Sequence, residues 1–93
     1  MDDNEARALL AERLGRYREY PHGRLAELVG SCETEDRPGP TGTMYQLEFQ
    51  FFWDAGPGGD VRVVGSIDDG GLRAFAPLCE DFIKAPDESF VGE

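Results

Sequence analysis

Ninety-three residues, 40% of them hydrophobic and ten aromatic, suffice for one compact core without a disulfide or metal staple. The formal charge of −10 disfavours direct nucleic-acid binding, because an acidic surface repels phosphate backbones, and no apolar run approaches the ~20 residues of a membrane-spanning helix. Residues 1–24 balance five acids against five arginines, so residues 25–93 carry the whole −10.

The N-terminus opens on acids and continues as an amphipathic pattern, unlike a signal peptide, so a cytoplasmic chain with Cys32 and Cys79 as thiols is expected. Asp2-Asp3-Asn4-Glu5 offers an N-cap with Glu5 placed for a carboxylate version of the capping box. Ala6, Leu9, Leu10, Leu14 and Tyr17 follow at helical spacing, with acids leading and arginines trailing. This predicts a helix over 3–19, ended by Pro21. Residues 22–30 read as a short second helix closed by Gly30, with an early strand as the alternative. Ser31 to Arg37 reads as a charged edge strand and Pro38 to Gly42 as a loop.

Residues 43–67 organise the rest. Tyr45, Leu47, Phe49, Phe51 and Trp53 alternate with Gln46, Glu48 and Gln50, the signature of a half-buried strand whose odd-numbered rings face a core. A Pro57-Gly58-Gly59 turn, with Gly59 left-handed, pairs Trp53 with Val63, Phe51 with Gly65 and Phe49 with Ile67. Asp69-Gly70 then suits a two-residue turn that pairs Ile67 with Leu72, Gly65 with Ala74 and Val63 with Ala76. Gly65 marks a trough where the first helix can approach the sheet. The other face gains a row of Phe52, Val64 and Phe75, which the C-terminal Phe82, Ile83, Phe90 and Val91 are expected to cover. The fold class is therefore α+β: one or two helices on an antiparallel three- to four-stranded meander, in a single domain spanning 1–93.

Chemistry-bearing residues are sparse. His22 is the only histidine and sits in a helix-breaking context, so a surface or capping role is expected and a two-histidine metal site is excluded. Cys32 and Cys79 lack CxxC or zinc spacing and read as small buried hydrophobes. Cys79 stands beside Glu80 and Asp81, the reverse of the electropositive surroundings an activated nucleophile needs. Glu48 would face Asp68, with Asp69 near, leaving open whether these acids hold a divalent cation or simply splay into solvent. The glycine-rich loops lack the lysine of a phosphate cradle. No catalytic, cofactor-binding or metal residue is assigned.

The run Tyr45-Gln46 through Trp53-Asp54, then Gly65 to Gly71 and the closing Phe90-Val91-Gly92-Glu93, resembles a small uncharacterised family of bacterial proteins. The resemblance implies a bacterial stand-alone domain and transfers no activity. Three functions are compatible with the residues. The leading one is a non-enzymatic acidic interaction module with a protein partner, monomeric or weakly homodimeric. The second is an acidic inhibitor, immunity-type protein or nucleic-acid mimic engaging a basic partner. The third is a small-molecule binder or enzyme with a helix–sheet pocket near Tyr17, Tyr45 and Trp53.

Overall fold

A computed structural model describes residues 1–71 and 76–93. The protein is α+β: helices α1 (Asp3–Arg18) and α2 (His22–Leu28) precede strands β1 (Cys32–Pro38), β2 (Met44–Trp53), β3 (Val61–Asp68) and β4 (Leu78–Lys84). The strands form one antiparallel sheet in the order β1-β2-β3-β4.

Helix α1 starts where the carboxylate of Asp2 accepts the Glu5 N–H at 3.1 Å, satisfying one of the amides orphaned at a helix start. Only half of the expected capping box forms. The Glu5 carboxylate instead accepts hydrogen bonds from the Thr41 N–H, the Thr41 hydroxyl and the Tyr45 hydroxyl, fastening the helix start to the β1–β2 loop. Residues 22–28 are helical, and Gly30 follows with φ +89, a conformation glycine adopts without strain.

The alternation in β2 works as expected. Tyr45, Leu47, Phe49 and Phe51 are buried under Ala6, Leu10, Leu14 and Tyr17 of α1, while Trp53 is half-buried. At Gly65 the helix does lie close: a Cβ there would come within 2.9 Å of Leu10 Cδ1 and 3.2 Å of Leu14 Cδ2.

The register differs by two residues from the expectation. Trp53 pairs with Val61, Phe51 with Val63, Phe49 with Gly65 and Leu47 with Ile67. The cause is the loop. Asp54 donates its N–H to Asp60 at 2.8 Å, closing a longer connection in which Gly58, not Gly59, has the positive φ (+85). A shift of two preserves which face each side chain takes, so the core survives.

The third pairing also differs. Ile67 pairs with Leu78, Gly65 with Glu80 and Val63 with Phe82, so Asp69-Gly70 is not a two-residue turn between the paired strands but part of a longer connection, residues 69–77. Leu72 to Phe75, on which part of that expectation fell, lie outside the described residues. Pro77, which has no N–H to give to a ladder, stands just before β4.

The C-terminal segment covers an edge rather than the second face. Val91 donates its N–H to Ile83 at 2.9 Å, and Phe90 bridges to Lys84, so residues 85–91 fold back along β4. Register explains the outcome. Phe82 opposite Val63 points to the helix side, and Phe90 follows it there, meeting it edge-on at 5.9 Å between ring centroids.

Candidate interaction face

Among the described residues, α1, α2 and the C-terminal segment all pack on one side of the sheet and nothing packs on the other. Cross-strand partners share a face, so the ladders define the uncovered side as a lattice. Its first row is Phe52, Arg62 and Ile83. Next come Cys32, Gln50, Val64 and Asp81, then Thr34, Glu48, Ser66 and Cys79, and finally Asp36, Gln46 and Asp68. Phe52 is 45% exposed, well beyond the other aromatic rings of the sheet.

The face is electrically uneven. Arg62 stands at the Phe52 end and is ion-paired with Asp54 and Asp81. At the far end, Asp36, Glu48 and Asp68 have no ion pair among the described residues. Asp68 accepts the Gly70 N–H at 2.8 Å, and Glu48 accepts the Gln50 amide at 2.8 Å and the Cys32 thiol at 3.2 Å. Those neutral donors leave the carboxylate charge in place. The Glu48 hydrogen bond pushes the Cys32 thiol above its ordinary pKa, so it stays protonated.

Two shallow hollows lie along the β1–β2 seam of this face. One, of about 160 Å³, is bordered by Thr34, Asp36, Gln46, Glu48 and Asp68. The other, of about 230 Å³, is bordered by Gly30, Ser31, Cys32, Gln50 and Phe52.

The opposite face of β1 is spent on the helix. Tyr17 donates its hydroxyl to Glu33 at 2.8 Å, Arg13 pairs with Glu35, and Arg37 approaches Glu12 at 3.6 Å. Burial and the Glu33 carboxylate together raise the Tyr17 pKa above the ordinary tyrosine value. Inward-pointing charges of this kind also blunt the free edge of β1 against unwanted strand addition.

Several residues occupy places other than those expected. Glu48 lies opposite Ser66, and Gln46 opposite Asp68, so Glu48 and Asp68 are diagonal neighbours and do not face each other. Asp69 turns away to the N-terminal ammonium at 3.6 Å and the Gly71 N–H at 3.1 Å. Among the described residues, no group of three or more His, Cys, Asp or Glu side chains is arranged to hold a metal ion. Cys32 and Cys79 are both exposed, contrary to the buried role expected for them, because the register puts both on the uncovered side.

His22 begins α2, and its Nε2–H donates to the Gly59 carbonyl at 2.7 Å while its backbone N–H meets the Glu88 carboxylate at 2.9 Å. It links α2, the β2–β3 loop and the C-terminal turn. Tyr17 and Tyr45 lie within the core, Tyr17 packed edge-on against Phe51 with centroids 5.3 Å apart, and neither borders a hollow described above. Among the described residues, no helix is long and apolar enough to cross a membrane.

Thr34 and Asp36 are not singled out by the sequence pattern. The signal was present: in Cys32-Glu33-Thr34-Glu35-Asp36, the positions aligned with the polar set of β2 had to share its face once the two strands paired. No protein-family model, curated protein or solved structure matches the chain.

Proposed function

We propose that this chain is a non-enzymatic acidic interaction module that docks a basic protein on the uncovered face of its sheet. The observation that carries the reading is the one-sided packing among the described residues: a four-stranded sheet presents Phe52 at one end and, at the other, three carboxylates that make no ion pair within that described set. Sheets normally bury both faces or keep the outer one uniformly polar, and a large exposed ring within a charged rim is the composition of an interface. Complementary charge on the partner would set orientation and speed encounter, with the exposed ring supplying contact area.

The test places a photo-crosslinking residue at Gln50 on the face and, separately, at Ala11 on the solvent side of α1. The Gln50 probe should trap a basic protein whose capture weakens as salt rises and is lost when Asp36 and Asp68 are both replaced by lysine. Capture from Ala11 alone, or capture from Gln50 indifferent to those two charge reversals, would overturn the proposal.

A further inference from the structure

The two hollows allow the partner to be described more closely. On β2 the first is lined by residues 46–48 and the second by residues 50–52, four positions further on, which at a strand rise of ~3.4 Å per residue separates them by about 14 Å. The acidic hollow holds carboxylates that make no ion pair among the described residues, beside the Thr34 hydroxyl and the Gln46 amide, a setting that rewards a cation with several donors. The second hollow opens beside the exposed ring of Phe52, which favours an apolar side chain.

Bare sheet faces are covered by helices or by further sheets, and the other face of this same sheet already holds the 16 residues of α1. A second copy laid face to face with its strands running the same way would set Asp36, Glu48 and Asp68 against their own equivalents, which repulsion opposes, and one turned end for end would offer them Arg62, which is already paired with Asp54 and Asp81. A basic helix meets complementary charge instead.

Resting on the docking-face reading above, we infer that the occupant is an amphipathic helix of a basic protein, with an arginine or lysine and a large apolar residue on one side. On an α-helix, positions seven or eleven apart share a side and stand about 10.5 or 16.5 Å apart. The flexible stem of arginine or lysine covers the difference of about 3 Å. Positions nine apart have nearly the right separation, about 13.5 Å, but project on opposite sides.

That contrast supplies the test. Three alanine-rich helical peptides of identical composition carry an arginine and a tryptophan seven, nine or eleven positions apart, and each is titrated into the isotope-labelled full chain and followed by NMR. Either same-side peptide should bind roughly fivefold or more tightly than the nine-spaced one. Amide shifts should map to Thr34, Asp36, Gln46, Glu48 and Gln50. Replacing Asp36 and Asp68 together by asparagine should weaken the same-side peptides by a similar factor and leave the thermal midpoint unchanged. Equal affinity for all three peptides on this face would overturn the two-anchor inference and leave the docking-face reading standing. Shifts confined to other surfaces, or no binding, would overturn both.

Discussion

Gly65 offers the sharpest check of how the core is packed. A methyl group there would stand 2.9 Å from Leu10 Cδ1, 3.0 Å from Phe49 Cε1 and 3.2 Å from Leu14 Cδ2, all closer than comfortable carbon–carbon contact. Leu10 is fully buried and Leu14 nearly so, which limits how far either leucine can yield. Overpacking of this kind costs about 1–3 kcal/mol, and the reduced freedom of the unfolded chain returns about 0.4–1 kcal/mol. Gly65→Ala should therefore destabilise by about 1–2 kcal/mol, lowering the thermal midpoint by roughly 4–16 °C for a domain of this size. Leu10→Ala alone should cost about 2–5 kcal/mol. In the double variant the added methyl occupies part of the space left by Leu10, so the combined cost should fall short of the sum by about 1 kcal/mol. Urea denaturation followed by circular dichroism measures all four corners of the cycle. A Gly65→Ala chain as stable as the parent, or two costs that simply add, would refute the close helix–sheet approach.

Three further outcomes follow from other parts of the structure. Lys84 is nearly buried, and its Nζ donates to the carbonyls of Arg18 at 2.9 Å and Tyr20 at 2.8 Å, so Lys84→Met should destabilise by about 2–4 kcal/mol. A thermal midpoint within a degree of the parent would remove its role in closing the end of α1. Burial and the Glu5 carboxylate push the Tyr45 hydroxyl up to about 12, against about 10 for a tyrosine in the unfolded chain. The contribution is complete below about 10 and is lost as pH rises from there through about 12, so the denaturation midpoint should fall over that range, and less steeply for Tyr45→Phe. A Tyr45→Phe chain with the same alkaline decline would assign the loss elsewhere. Phe52→Ser should change stability by no more than about 0.5 kcal/mol while weakening peptide binding at the uncovered face, and a large stability loss would mean that the ring is structural.

What could be read from the residues followed parity, and what could not followed loop geometry. The alternation from Tyr45 to Trp53 determines which side each ring takes, and a register shift of two leaves that unchanged, so the core of α1 on β2 and β3 was legible. The Asp54–Asp60 closure was not, because a proline–glycine stretch is compatible with several turn lengths. Everything that depended on exact partners moved with it. Glu48 no longer faces Asp68, and Cys79 emerges on the open face, because its position was set by where β4 begins after Pro77. The charges of β1 were legible as an edge but not as a lock: nothing in Glu33, Glu35 and Arg37 alone says that Tyr17, Arg13 and Glu12 will meet them.

The uneven charge of the open face has the same origin as its exposure. Had residues 85–91 crossed beneath the sheet, Phe90 and Val91 would have covered Phe52 and Val64, and an acidic rim would have surrounded a closed surface. Register instead turns Phe82 and Lys84 toward the helices, where Arg18 stacks over the Phe90 ring at 3.9 Å and pairs with Glu93. Those contacts hold the C-terminal segment on the helix side and occupy cations that could have neutralised the sheet. Arg62, at the Phe52 end, is engaged by Asp54 and Asp81 and is four ladder positions from Ser66, the partner of Glu48. Over roughly 13 Å of strand, exposed pairs are largely screened at physiological salt, so Arg62 contributes little to the field at Asp36, Glu48 and Asp68. A cation brought there by a partner would therefore meet three carboxylates whose charge no described residue cancels, and salt should weaken that contact before it weakens the one at Phe52.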